Sequence, residues 1–168
     1  MPHDLHLDLL RRMPLFHGIR DDILALLLEA TPVVEKAAGE RFFQQGEDAL
    51  YMYVLESGQV SVSKEWQGKD HELATLGPGE CFGEVALIDL YPRSASVSAL
   101  TPCRAIEISS VHLYRVHEAD VEQFIVIQAN IARELCRRLR LADDRQLPAL
   151  AGQTGTTTEL AWPALLTV

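Results

Sequence analysis

The stretch that decides the fold is GERFFQQGEDALYMYVLESGQVSV, residues 39–62. Two short runs rich in aromatic and β-branched residues, RFFQQ and LYMYVLES, are separated by glycine-bearing turns. The run VSVSK that follows alternates as a half-buried strand does. The same texture extends outward from residue 33 to 109. VVEKA precedes AAGE, VSVSKEW precedes QGKD, HELATL precedes GPGE, SASVSAL precedes TP, and CRAIEIS ends the series. Several strands of about five residues at regular spacing predict an antiparallel β-roll of the sandwich or barrel type. Gly39, Gly46, Gly58, Gly68, Gly77 and Gly79 fall at the turns between them, where positive φ is often required.

On either side the period changes to that of a helix. In residues 5–32, Leu5, Leu9 and Leu10 share a face, Pro14 interrupts, and ILALLLEA resumes at 23–30. Asp21 and Asp22 suit the start of that second helix, where carboxylates meet the positive end of the dipole, and Pro32 closes it. In residues 111–147, Phe124, Ile127, Ile131, Leu135 and Leu139 recur three or four apart, and Arg133, Arg137, Arg138 and Arg140 mark solvated faces. Pro148 is expected to end this helix. The predicted class is therefore α+β: N-terminal helices, a jelly-roll-like β-roll and a long C-terminal helix. The expected domain spans 1–147, with the roll at 33–109 and the C-terminal helices at 111–147. A tail at 148–168 begins with linker chemistry and turns apolar around Trp162. Its ELAWPALL end is expected to dock on this domain, on a second copy or on a crystal neighbour. No internal repeat is present.

Composition narrows the function. A chain of 168 residues, 48% apolar and 23% charged, fits one soluble domain. A net charge of −9 disfavours broad contact with nucleic acid. It leaves room for a small anion, because one buried arginine can dominate its own pocket. Cys81, Cys103 and Cys136 are widely spaced and form no CxxC, which predicts reduced thiols with neither a disulfide frame nor a zinc site. The N-terminus has charges among its apolar residues and is no signal peptide. No apolar run approaches membrane-spanning length. A soluble cytoplasmic protein is expected. An enzyme would need a nucleophile with a partnered base, and His17, His71, His112 and His117 form no such set. A metal-binding cupin would need clustered His and Glu on strands, and the β region holds His71 alone.

One segment carries chemistry: FGEVALIDLYPRSASVSA, residues 82–99. Gly83 lets a ligand approach its backbone N–H closely. EVALID is long enough for one or two helical turns, whose first N–H groups suit an anion. The Glu84 carboxylate can accept hydrogen bonds from a sugar hydroxyl. Arg93 offers a planar fork that grips two phosphate oxygens. Ser94 adds a hydroxyl donor, Ala95 is small enough to leave its N–H accessible, and Pro92 stiffens the approach. Together these parts suit a phosphodiester on a ribose. The structural alternative is an ion pair between Glu84 and Arg93 that closes a loop.

With these residues in place, the chain resembles the cyclic nucleotide-binding domain family, as in catabolite activator regulators, kinase regulatory subunits and gated channels. The resemblance covers roughly residues 10–145. The phosphate-binding cassette of that family is similar to Phe82-Gly83-Glu84-Val85-Ala86-Leu87 followed by Pro92-Arg93-Ser94-Ala95, with Val97 and Ala99 beyond. PLFHGIRDDILALL resembles its leading helices, and residues 39–62 its glycine-punctuated strands.

The resemblance implies a regulatory module, not an enzyme, whose ligand is cAMP first or cGMP second, with no metal or other cofactor. It implies that Glu84 binds the ribose 2′-hydroxyl and Arg93 the cyclic phosphate. Gly83, Ala86, Ser94 and Ala95 supply backbone or hydroxyl contacts, and Phe82 and Val85 flank them. Leu87 would relay the binding event to the helix at 121–147, which would swing as a lid. Arg137 and Arg138 are candidate base contacts on that helix, with plain surface charge as the alternative. The chain departs from the catabolite activator pattern in ending without room for a helix-turn-helix, so direct DNA binding is not expected. Expected partners are the nucleotide, a protein effector, and a second copy held through the C-terminal helix or tail. The alternative is a protein-interaction scaffold of the same fold that binds no nucleotide.

Overall fold

A computed structural model describes residues 2–29 and 31–151. The chain runs α1 (Pro2–Arg12), a 3-10 turn (Pro14–Phe16), α2 (Asp21–Leu28), β1 (Val33–Lys36), β2 (Arg41–Phe43), β3 (Tyr51–Ser57), β4 (Val60–Trp66), β5 (Lys69–Leu76), β6 (Cys81–Phe82), α3 (Val85–Asp89), β7 (Ser96–Ala99), β8 (Cys103–Ser109), α4 (Ser110–Ala119) and α5 (Val121–Ala151). It divides into two compact units, Met1–Glu134 and a second that begins at Leu135. The expected docking of ELAWPALL lies outside the described residues.

The strands form two antiparallel sheets, ordered β1-β8-β3-β6 and β2-β7-β4-β5. They enclose a cluster drawn from both: Tyr53, Leu55, Phe82, Cys103 and Ala105 from the first sheet, Phe43, Val60, Leu76, Val97 and Ala99 from the second. The α+β roll read from the sequence is thus present. Gln67 (φ 55°) and Gly68 (φ 74°) make the tight turn between Trp66 and its partner Lys69, a conformation that suits the twist of a hairpin. Gly58 (φ 91°) turns β3 into β4 and lies against the 100–103 loop, where Gln59 N donates to Thr101 Oγ1 (2.9 Å) and Leu100 N to Gln59 O (2.8 Å).

The helices of the first unit have their own core. Leu10, Phe16, Leu24 and Leu27 are buried, and so are Ile127 and Ile131 at the start of α5. Asn130 fastens α5 to the N-terminal segment by donating to Leu15 O (3.1 Å) and His17 O (2.9 Å), while Arg133 donates to its Oδ1 (2.7 Å). Arg20 adds an ion pair to Asp120 (2.8 Å). The apolar stripe of the long helix therefore divides. Ile127 and Ile131 serve the core of the first unit, and Leu139, in the second, is 62% exposed. Pro148 does not end the helix, which continues to Ala151. A proline removes one N–H from the ladder, and here only the final residues of the helix follow it. No described helix is long and apolar enough to cross a membrane.

The β8–α4 junction carries a capping box with an unusual partner. Ser109 Oγ accepts from His112 N (3.3 Å), and His112 Nδ1 accepts from Ser109 N (3.1 Å). The box requires Nδ1 without a proton. Burial lowers the His112 pKa, Arg115 adds to this, and Glu107 opposes it. The unfolded chain, with an ordinary histidine pKa near about 6.5, takes up the proton first. This contribution is present above that pH and is lost as the pH falls from it toward the depressed folded value. Unfolding free energies from urea titrations at pH 7.5 and 5.5 should differ by about 1 kcal/mol or less, the worth of a helix cap. His112→Gln, whose carbonyl keeps an acceptor at that position, should shrink the difference. An equal acid loss in the variant would place the effect elsewhere.

Candidate functional site

The segment 82–99 lies where the two sheets meet. β6 is only two residues long, but its pairing with β3 (Tyr53 to Phe82, Val54 to Cys81) delivers Gly83 to the rim of the first sheet. Gly83 has φ 80°, a backbone conformation that favours glycine. A Cβ there would stand 2.6 Å from Arg93 Nη1, 3.2 Å from Phe43 and 3.3 Å from Tyr51 O. Its lack of a side chain is what admits the guanidinium. The short helix α3 follows and ends at Leu90, a non-glycine residue in the left-handed region (φ 59°). Leu90 is 86% exposed.

Arg93 comes from the other side. Its N–H donates to Glu47 O (2.8 Å) and its carbonyl accepts from Gly46 N (2.8 Å), so the loop after β2 grips its backbone from both directions. The residue is 5% exposed. Nη1 donates to Gly83 O (2.9 Å) and Nη2 to Tyr51 O (2.7 Å). The guanidinium carbon sits 3.9 Å from the centre of the Phe43 ring. Nε is buried with no hydrogen-bond acceptor. Burial lowers the Arg93 pKa, and Tyr53, Glu47, Glu84 and Glu107 oppose that trend. The group stays cationic at neutral pH.

Glu84 is fully buried. It precedes α3 as the N-cap residue, but its carboxylate makes no capping hydrogen bond. Its charge acts on Arg93. The structure thus brings Phe82, Gly83, Glu84 and Arg93 together at one end of the roll. Val85 and Leu87 are half-buried on α3, Ala86 lies between them, and Ala95 is half-buried beside the exposed Ser94. Arg137 and Arg138 lie on α5 in the second unit.

Four neighbours escaped sequence reading. Phe43 and Tyr51 touch Arg93 directly, and Glu47 and Glu107 act on its charge. Phe43 belongs to an aromatic group with Phe42, Tyr53 and Phe82, in which Tyr53 and Phe82 stack 5.3 Å apart. Tyr53 also hydrogen-bonds Glu107, and its phenol pKa is pushed up, first by burial and then by Glu107. The adjacent aromatics of RFF were a signal, since a half-buried strand should turn one of the pair to solvent. Two clefts elsewhere, one lined by Leu26, Glu29, Arg115, Glu118 and Ala119 and one by Glu35, Lys36, Ala37, Ser57, Pro102, Cys103 and Arg104, contain none of the cassette residues. No cluster of three or more His, Cys, Asp or Glu among the described residues is arranged to hold a metal ion.

Residues 33–120 match the family described as cyclic nucleotide-binding domain. The chain is 30% identical over 134 residues to the CRP-like cAMP-activated global transcriptional regulator of Mycobacterium tuberculosis, covering 79% of this chain and 58% of that one. It therefore spans a little over half the length of that relative. Among solved structures it is similar to the regulatory domain of Toxoplasma gondii PKA with cAMP, at 25% identity and a TM-score of 0.66, over 68% of this chain and 44% of that one. The fold is shared with a cyclic nucleotide-binding domain from Methylobacillus flagellatus, with a TM-score of 0.79 and 23% identity, over 95% of this chain and 86% of that one. The match over residues 33–120 makes the chain a member of the cyclic nucleotide-binding domain family.

Proposed function

We propose that this domain binds a cyclic nucleotide, cAMP in first place and cGMP in second, and that binding shifts its conformation. The observation that carries the reading is Arg93: a cation 5% exposed, held rigidly, with its Nε–H facing no acceptor. Burying a charge is costly unless a counterion and hydrogen bonds compensate. An anion held by the guanidinium supplies both. In this reading Arg93 receives the cyclic phosphate and Glu84 accepts from the ribose 2′-hydroxyl. Gly83, Ala86, Ser94 and Ala95 add backbone or hydroxyl contacts, with Phe82 and Val85 beside them. Leu87 and the helix at 121–147 carry the change outward, as a population shift driven by tighter binding to one state. Arg137 and Arg138 are proposed contacts for the base, with plain surface charge as the alternative. Output passes to a protein effector or to a second copy.

Calorimetric titration with cAMP, cGMP and 2′-deoxy-cAMP tests this. Saturable binding of cAMP is expected, with the deoxy analogue weaker by about 1.5–3 kcal/mol, the worth of a hydrogen bond to a charged group. Glu84→Gln should narrow that gap. Binding of neither nucleotide by the folded chain would leave the non-binding scaffold as the better account.

A further inference from the structure

Within the cassette, the Arg93 guanidinium is held at Nη1 by Gly83 O. Its long side chain has many rotamers, and its two backbone acceptors, Gly83 O and Tyr51 O, leave the faces of the group unconstrained. The missing constraint is a face, and Phe43 supplies it at 3.9 Å. Phe43 is 8% exposed and is itself immobilised from both sheets. It pairs with Val97 across β2 and β7, lies nearly parallel to Tyr53 (27°, 6.1 Å) and leans on Phe82 (43°, 6.1 Å).

We propose that Phe43 is a positioning residue for the anion-gripping Arg93: its ring is a shelf that fixes the guanidinium plane before a ligand arrives. This rests on the nucleotide-binding reading above and specifies how the site is held ready. Gly83 O and Tyr51 O take one N–H each of Nη1 and Nη2, and with one face covered by the ring an anion would meet the remaining donors in the plane of the group. The attraction between a cation and a ring face depends on the electron density of the ring. That gives the shelf a property distinct from packing.

The test is 3,4,5-trifluorophenylalanine at position 43 of the full chain, which nearly keeps the shape of the ring and withdraws its electrons, alongside Phe43→Leu. We expect a small fall in the urea midpoint of the fluorinated chain and a larger loss of cAMP affinity, roughly three- to thirtyfold, the range of a partly desolvated cation–ring contact. The Arg93 Nε–H proton resonance, shifted upfield over the ring in the parent, should move downfield in Phe43→Leu. Unchanged affinity in the fluorinated chain, beside a parent that binds, overturns the inference alone. Affinity that falls only in step with the urea midpoint also overturns it. A parent that binds neither cAMP nor cGMP overturns the nucleotide reading and this inference together.

Discussion

Arg93→Ala should lose cAMP affinity by about 3–5 kcal/mol, the cost of removing one partner of a buried ionic contact. In titration this is the disappearance of saturable binding at any practical concentration. The magnitude follows from burial. A phosphate drawn to the rim beside the fully buried Glu84 would lose water and gain a like-charge neighbour, with no cation left to offset either. Arg93→Lys should recover only part of the loss. An ammonium restores the charge but cannot hold Gly83 O, Tyr51 O and an in-plane anion with one planar fork. Retention of near-parental affinity by the alanine variant would remove Arg93 from the binding site. A urea midpoint measured in parallel separates lost binding from lost folding, because the same side chain joins Gly83 to Tyr51.

Gly58→Ala should be the most damaging single methyl in the roll, at about 2–5 kcal/mol of stability from overpacking and left-handed strain together. The added Cβ would stand 2.4 Å from Pro102 O, 2.6 Å from Cys103 Sγ and 2.9 Å from Cys103 Cα. Two of these are backbone atoms, and Cys103 is locked in register with Lys36 in the first sheet. Neither side can step back without parting the strands. Gly39→Ala is the control. Its φ is 86°, nearly the same, but nothing lies within 4 Å of the added carbon, so only the strain of about 1–2 kcal/mol remains. Urea denaturation of the two variants should therefore give clearly different midpoints. Similar midpoints would show that the 100–103 loop yields easily.

Which features were legible follows from their range along the chain. Strands such as Tyr51–Ser57 and Val60–Trp66 announce themselves because periodicity and turn glycines are local signals. β6 escaped because Cys81–Phe82 is too short to have a period, and only its pairing with Tyr53 and Val54 defines it. Glu84 and Arg93 stood out because a charged pair framed by Gly83 and by small residues is unusual within one short segment. Phe43 could not be assigned a role, since fifty positions separate it from Arg93 and the contact exists only once two sheets have closed. Pro148 misled for the opposite reason: a strong local breaker was read as a boundary, and the helix runs on to Ala151.

The backbone of Arg93 is bound to the loop after β2, in the second sheet, while its side chain is bound to Tyr51 and Gly83, which belong with the first. The residue is thus a rivet through the open seam of the sandwich as well as the cation of the site. In the proposed reading, one side chain sets both the firmness of that end of the roll and the strength of its hold on an anion. A sequence change nearby that loosens the rivet lowers both at once. Selection acting on affinity here cannot leave stability untouched, and an arginine with two duties is harder to replace than one with either alone.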